Sequence, residues 1–349
     1  MITGGPGPAR DRRPFPPRSV PGRGRAWYRV DLHVHSDLSY AADRTPAAVV
    51  AEARAAGLDG FATTEHNTAE GHGRWAGPAG DHLLVILGQE VVTRTGHWLA
   101  LGLAPGRVID GDYRALDGVI DRHTARVRDG GGLCVAAHPF VPYPSGGFGY
   151  RYRGFEAVEV WNGLWSSDRP WNADNGTALA EWGRTLVADL GAGVAGDDGP
   201  WRPAVGGSDA HQAGQVGTPH TVVLADTLGV DDVLAGLRAG RSWIAGSAQV
   251  ELELTAECEG RVAGIGERLS TPDGDALVRV RVRVAGVPAG TVTVHTDLGT
   301  VHRAQLPPTG SDAVDWTTTP AASAFVRIEL RHPDGSMAAL TNPVVLARL

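Results

Sequence analysis

The stretch Tyr28-Arg-Val-Asp31-Leu-His33-Val-His35-Ser36 decides the reading of this chain. Residues 28–34 read as a short strand at the start of the ordered part, which is expected to begin at Trp27. Side chains two positions apart share one face of a strand, so His33 and His35 present two imidazoles on the same side. Two imidazoles on one edge can hold one metal ion together. The same H-x-H pattern also occurs as plain surface or core, so its company along the chain has to decide.

Working outward, a helix follows: Thr45 is a good N-cap, Pro46 takes the first helical position, residues 47–56 are rich in helix formers, and Gly57 is a natural stop. Strands are expected over 58–64, ending in Glu65-His66-Asn67, and over 82–87, ending in Gly88-Gln89-Glu90. Further strands are expected over 97–103, over 133–137 ending in His138-Pro139, and over 156–161 ending at Asn162. Helices are expected over 117–128 and 177–190. Residues 203–206 lead into Ser208-Asp209-Ala210-His211, then a strand over 221–224 and a helix over 230–238. Alternating short buried strands and helices imply an α/β fold on a parallel sheet, open or closed. Glu65, His66, Glu90, His138, Asn162, Asp209 and His211 all fall just after apolar strand runs. In a parallel barrel the C-terminal strand ends share one mouth, so these residues would converge.

From about residue 250 the texture changes to β-rich segments separated by turns such as Pro272-Asp273-Gly274 and Pro333-Asp334-Gly335. The expected organisation is a flexible Pro/Gly/Arg-rich tail over 1–25, a catalytic α/β unit over 26–247, and a small antiparallel β domain of sandwich type over 248–349.

Composition narrows the function. All 32 basic residues of the 349 are Arg, which excludes Schiff-base and P-loop lysine chemistry. A net charge of -7 argues against a broad nucleic-acid-binding surface. No apolar run reaches transmembrane length, no secretion signal is visible, and Cys134 and Cys258 stand far apart, so a cytoplasmic location is expected. Ten of the 13 His precede Arg241, and mixtures of imidazole and carboxylate suit zinc, manganese or iron. So many ionisable groups at buried strand ends would be costly unless they served a metal site. Gly191-Ala-Gly193-Val-Ala-Gly196 matches a dinucleotide loop in spelling, but Asp197-Asp198-Gly199-Pro200 follows where a helix should begin.

The ordered motifs Asp31-Leu-His33-Val-His35-Ser36, Thr64-Glu65-His66-Asn67, Gly88-Gln-Glu90, Ala137-His138-Pro139 and Gly207-Ser208-Asp209-Ala-His211 resemble the PHP domain, the superfamily named for polymerase and histidinol phosphatase. The resemblance covers about residues 27–245. Gly96-His97-Trp-Leu-Ala-Leu-Gly102 and Ala339-Leu340-Thr341-Asn342-Pro343 resemble, within it, the branch of metallohydrolases that contains carbaryl hydrolase. The resemblance implies a distorted (β/α)7, TIM-like barrel and two or three divalent ions. It places His33, His35, Glu90 and Asp209 around a first ion, with Glu90 bridging to a second held also by His97 and His138. His66 and His211 would hold a third, and His33, His35, Glu90, Asp209 and His211 would form the catalytic set. The third site of the family often takes one more His or Asp from the loop after H-x-H. Here that loop runs from Asp37 to Asp43 without the usual Ser-Asp-Gly, so Asp43 is the candidate and Asp37 the second. Glu65 stands where Asp is commoner, either reaching a metal or orienting His66.

The implied activity is metal-dependent hydrolysis by a hydroxide bridging two ions, with a small molecule as substrate and homo-oligomerisation left open. A phosphomonoester or small phosphodiester is the leading substrate class. Carbamate, ester or amide hydrolysis at the same site is the second, and a metal-stabilised non-catalytic binding module the third. For substrate contacts, Arg151 or Arg153 on the aromatic loop over 142–153 could clamp a phosphate, unless that loop is only packed by its own aromatics. Asn162 is a further candidate, flanked by Trp161, Trp165 and Trp171. His220 and His72 are candidates to protonate a leaving group, the alternative being ordinary loop histidines.

Overall fold

The computed structural model describes residues 13–112, 118–143, 145–191 and 201–348; most of the glycine-rich run 191–196 lies outside them. The first strand, β1 (Ala26–Val34), is fully buried over its second half, as expected of a strand covered on both faces. Parallel to it run β2 (Gly60–Thr63) and then β3 (Leu84–Thr93). Next, β4 (Gly96–Leu101) turns back antiparallel on β3, and β5 (Leu133–Ala136) pairs antiparallel with β4. Strands β6 (Ala157–Asn162) and β7 (Ala204–Gly207) continue parallel from β5.

The sheet curls so that the end of β7 returns to β1. Val34 and Ala210 form a parallel bridge, and His35 N–H donates to the Ala210 carbonyl at 3.0 Å. Gly207 permits this approach, because a Cβ there would lie 2.6 Å from His33 Cβ and 2.9 Å from its backbone nitrogen. Helices α1 (Pro46–Ala55), the short α2 (Ala76–Ala79), α3 (Val119–Asp129) and α4 (Asn175–Leu190) lie in the connections. Thr45 caps α1 by accepting from Ala48 N–H, with Pro46 at its first turn, as expected from the sequence.

The fold is mixed α/β, and its connections depart from strict strand–helix alternation. A two-residue turn joins β3 to β4, β4 runs antiparallel, and among the described residues no helix joins β5 to β6. The expected strand over 82–87 continues through Thr93, because residues 88–93 pair with β4. Glu90 therefore sits inside a strand, not after one.

On the other side, β1 pairs through Ala26–Val30 with β8 (His220–Ala225) in antiparallel sense, and β8 continues through α5 (Val230–Arg238) to β9 (Ser242–Ala245). Residues 18–25, expected as tail, lie against this edge, while Arg13 pairs with Asp81 after α2. Val20 is buried and its N–H donates to the Leu228 carbonyl, while Arg18, Arg23 and Arg25 pair with Asp231, Asp59 and Asp226.

The C-terminal region contains β10 (Glu251–Cys258), β11 (Arg261–Gly264), β12 (Arg268–Thr271), β13 (Val278–Ala285), β14 (Thr291–Thr296), β15 (Gly299–Gln305), β16 (Asp312–Thr318), β17 (Phe325–Arg331), β18 (Met337–Thr341) and β19 (Val344–Arg348). Strands β11, β10, β13 and β16 form a separate antiparallel sheet. In β13 the sequence VRVRVRVA buries each Val and exposes each Arg, the period-two pattern of a half-buried strand. Leu252, Leu254, Val280 and Val282 of that sheet share one core with Val294, Ile328, Leu330 and Ala338 of the other strands. Those other strands are not self-contained, because β18 pairs with β9 and so extends the first sheet into the C-terminal region. No helix of the described residues is long and apolar enough to cross a membrane.

Candidate metal centre

Glu90, 1% exposed, is the hub of a histidine cluster. Its Oε2 lies 3.4 Å from His33 Nε2, 3.4 Å from His35 Nε2 and 3.0 Å from His66 Nε2. Its Oε1 lies 2.8 Å from His97 Nδ1 and 3.0 Å from His138 Nε2. Across from it, Asp209 Oδ1 is 3.0 Å from His35 Nε2 and 3.3 Å from His33 Nε2. The elements explain the convergence: β1 carries His33, β3 and β4 carry Glu90 and His97 side by side, and His138 and Asp209 follow β5 and β7. A parallel bridge between His66 and Glu90 extends the β2–β3 pairing to bring His66 in. His138 and Asp209 take positive φ, 24° and 50°, conformations that L-residues adopt rarely and that cluster at functional sites.

Three groups of ligand atoms, each mutually within 4.8 Å, result among the described residues: His33, His35, Glu90 and Asp209; Glu90, His97 and His138; and His35, His66 and His211. Two observations fit divalent cations here. His33 Nε2, facing Glu90 and Asp209, is buried without any hydrogen-bond partner, which is costly unless a ligand takes its lone pair. The donor set of imidazoles and carboxylates is also the one borderline divalent ions prefer.

A surrounding layer orients these groups. Glu159 on β6 lies 3.1 Å from His33 Nδ1, accepts from His138 N–H at 2.8 Å and from Asn162 Nδ2 at 3.0 Å. Ser39 Oγ donates to Glu65, so it must accept from His35 Nδ1–H at 3.0 Å, leaving His35 Nε2 for the centre. The same oxygen accepts from His66 N–H at 3.0 Å.

Electrostatics reflect the crowding. Burial works against the charged form of Glu90, yet the charges of His33 and His97 and the bond from His138 hold its carboxyl well below the usual range. Asp209 is likewise disfavoured by burial and pulled well below its usual range by His33, His35 and His211. Burial opposes protonation of His33, but Asp209, Glu159 and Glu90 carry its pKa well above the ordinary value. His35 is pushed down to about 3, by burial first and by His211 and His66. Divalent cations in place of these protons would neutralise the same carboxylates.

Several expected residues lie elsewhere. Glu65 belongs to none of the three groups, because its buried carboxylate is taken by Ser36 N–H, Ser36 Oγ and Ser39 Oγ. Asp43 is exposed and reaches the centre only through its backbone N–H on the His211 carbonyl, while Asp37 pairs with Arg74. Asn162 is buried beside the site, where its amide nitrogen donates to Glu159 and to Asp209 Oδ2 at 3.3 Å. His220 is buried with both ring nitrogens engaged, by the Gly217 carbonyl and by Arg29, and burial lowers it to about 4. His72 is buried between the Gly88 carbonyl and Gly106 N–H. Arg151 and Arg153 are exposed on their loop, Trp161 is core, and Trp171 is 61% exposed.

Sequence reasoning missed Glu159 and Ser39 and gave Tyr143 no role. Glu159 carried a signal, a lone carboxylate inside the wholly buried strand AVEVWN. The Tyr143 ring stands 6.3 Å from that of His97. Burial first, then the charges of Asp209, Glu90 and Glu159, raise its phenol above the usual range, so the hydroxyl keeps its proton.

No curated protein matches the chain significantly. Among solved structures, a two-domain protein from Bacteroides vulgatus containing a predicted PHP-like metal-dependent phosphoesterase is 17% identical, with 95% of this chain and 99% of that chain covered and a TM-score of 0.48. PsfC from Pseudomonas syringae is 20% identical over 64% of this chain and 93% of its own, with a TM-score of 0.42. An amidohydrolase from Chromobacterium violaceum, with bound sulfate and no metal, is 17% identical over 53% and 88%, with a TM-score of 0.36. Residues 202–242, which carry Asp209 and His211, match the family model described as PHP-associated.

Proposed function

We propose that this chain is a metal-dependent hydrolase of the PHP superfamily, with phosphoesters of small molecules as its leading substrate class. The observation that carries the reading is the division of Glu90: Oε2 faces His33, His35 and His66 while Oε1 faces His97 and His138. His33, His35, Glu90 and Asp209 would hold one ion, and Glu90, His97 and His138 would hold a second. Divalent ions there supply Lewis-acid and water-activating chemistry near neutral pH. The chain's own part is orientation: Glu159 and Ser39 hold His33 and His35 with Nε2 inward, and Asn162 steadies Asp209. The phosphoester preference rests on the superfamily resemblance, the match over 202–242, and the exposed Arg151 and Arg153 on the loop after His138.

A second reading, carbamate, ester or amide hydrolysis, is favoured by the aromatic Tyr143 beside His97. A hydrolysis panel on metal-loaded protein separates the two: a chromogenic phosphomonoester, a phosphodiester, and an aryl carbamate or ester, each with Glu90→Ala as control. Phosphoester turnover that disappears in the variant supports the first reading. Turnover of only the carbamate or ester transfers the protein to the second. Turnover that persists undiminished in Glu90→Ala contradicts both.

A further inference from the structure

We infer that Tyr143 is a further catalytic residue, its phenol donating a hydrogen bond to the substrate oxygen that gains negative charge as the ester is cleaved. This rests on the hydrolase reading above. Position carries the argument. The Tyr143 ring packs 6.3 Å from His97, at the edge of the Glu90–His97–His138 group. Among the described residues its hydroxyl meets no hydrogen-bond partner, so the donor is unspent next to the ligand groups.

The loop is built to hold that ring. Gly149 N–H donates to the Thr95 carbonyl at 2.8 Å, and Phe148 N–H donates to the Pro139 carbonyl at 3.1 Å. Gly96, next to His97, lies flush under the loop: a Cβ there would meet Phe148 Cα at 2.9 Å. The turn behind the ring is closed by Gly146 N–H on the Tyr143 carbonyl at 3.1 Å. A Cβ at Gly146 would lie 2.1 Å from Tyr143 Cε2, so only glycine leaves the ring where it is. A donor carried on a ring held beside His97 needs little reorganisation during the reaction, which is where such groups contribute most.

The test compares wild type, Tyr143→Phe, Gly146→Ala, the double variant and Glu90→Ala on the best substrate of the panel, with metal content measured on each preparation. Loss of a donor used only in the transition state lowers kcat about 10–100-fold, leaving KM within about threefold and metal content unchanged. Gly146→Ala, which displaces the same ring, lowers kcat as well, and the double variant is no slower than Tyr143→Phe alone. The inference is overturned if Tyr143→Phe keeps kcat within about twofold, if its loss follows loss of metal, or if the two substitutions act additively. Wild-type turnover that does not depend on Glu90 sinks the hydrolase reading itself, and this inference with it. A Glu90-dependent enzyme indifferent to Tyr143→Phe sinks the inference alone.

Discussion

Glu159 Oε1 lies 3.1 Å from His33 Nδ1, and this contact decides which nitrogen of His33 faces Glu90 and Asp209. A carboxylate only accepts, so Nδ1 carries a proton and Nε2 is the nitrogen that an ion would take in place of a second one. The carboxylate also raises the basicity of the imidazole. Two strands far apart in sequence thus cooperate: β1 presents the ring and β6 sets its tautomer.

Glu159→Gln therefore weakens divalent-ion affinity by about 10–100-fold. Competition against a chromogenic chelator measures this, and an affinity equal to wild type would show that the contact does not tune the centre.

Gly207 is a close approach of β7 to β1 at the site, since an added Cβ falls 2.6 Å from His33 Cβ and 2.9 Å from its backbone nitrogen. Backbone cannot step aside as a flexible side chain would. Gly207→Ala is expected to destabilise the fold by about 1–3 kcal/mol and to lower metal occupancy. Urea unfolding checks it against Gly77→Ala, where an added Cβ meets nothing within 4 Å.

His220 gives a pH signature independent of the centre. Burial lowers its pKa from 6.5 to about 4, so the unfolded chain binds the proton more tightly. Stability linked to this residue is complete above about pH 6.5, falls as pH drops, and is fully lost below about 4, a change of about 3 kcal/mol. Unfolding curves of wild type and His220→Asn between pH 4 and 7 should differ in slope in that direction. Parallel pH dependences would show that His220 does not titrate on unfolding.

The residues at the ends of β1, β2, β5 and β7 were legible because parallel strands send their C-terminal ends to one side. His33, His66, His138 and Asp209 converge for that reason. Glu90 is expected just after a strand but lies inside one, because the hydrophobic run over 82–87 ends before the hairpin pairing that extends β3 to Thr93. Asp43 is the candidate that the resemblance offers in the loop after H-x-H, and a resemblance does not reveal that Tyr40 and Asp43 turn outward while Ser39 turns in. Ser39 lies only four residues from His35, but no pattern in the loop marks it as the bonded one, and the partner of the buried Glu159 is set by a tertiary contact with His33. The continuity of β9 with β18 was illegible for the same reason: short apolar strands do not state their partners.

Asn342 shows how that continuity reaches the site. Its buried side chain accepts from Ala204 N–H and donates to the Ala204 carbonyl and to Ser242, tying the C-terminal region to the start of β7. Asn342→Ala leaves these groups unpaired and should destabilise the protein by about 2–4 kcal/mol. A drop in the thermal midpoint measures this, and an unchanged midpoint would show that the junction does not hold β7.

The central claim is that Glu90 joins two ion sites through its two oxygens. The most direct measurement is the number of divalent ions bound per chain, by elemental analysis and calorimetric titration, in wild type and Glu90→Ala. The account predicts at least two ions in wild type and loss of both high-affinity sites in the variant. A variant that binds the same number of ions with the same affinity, or a wild type that binds none, would contradict it.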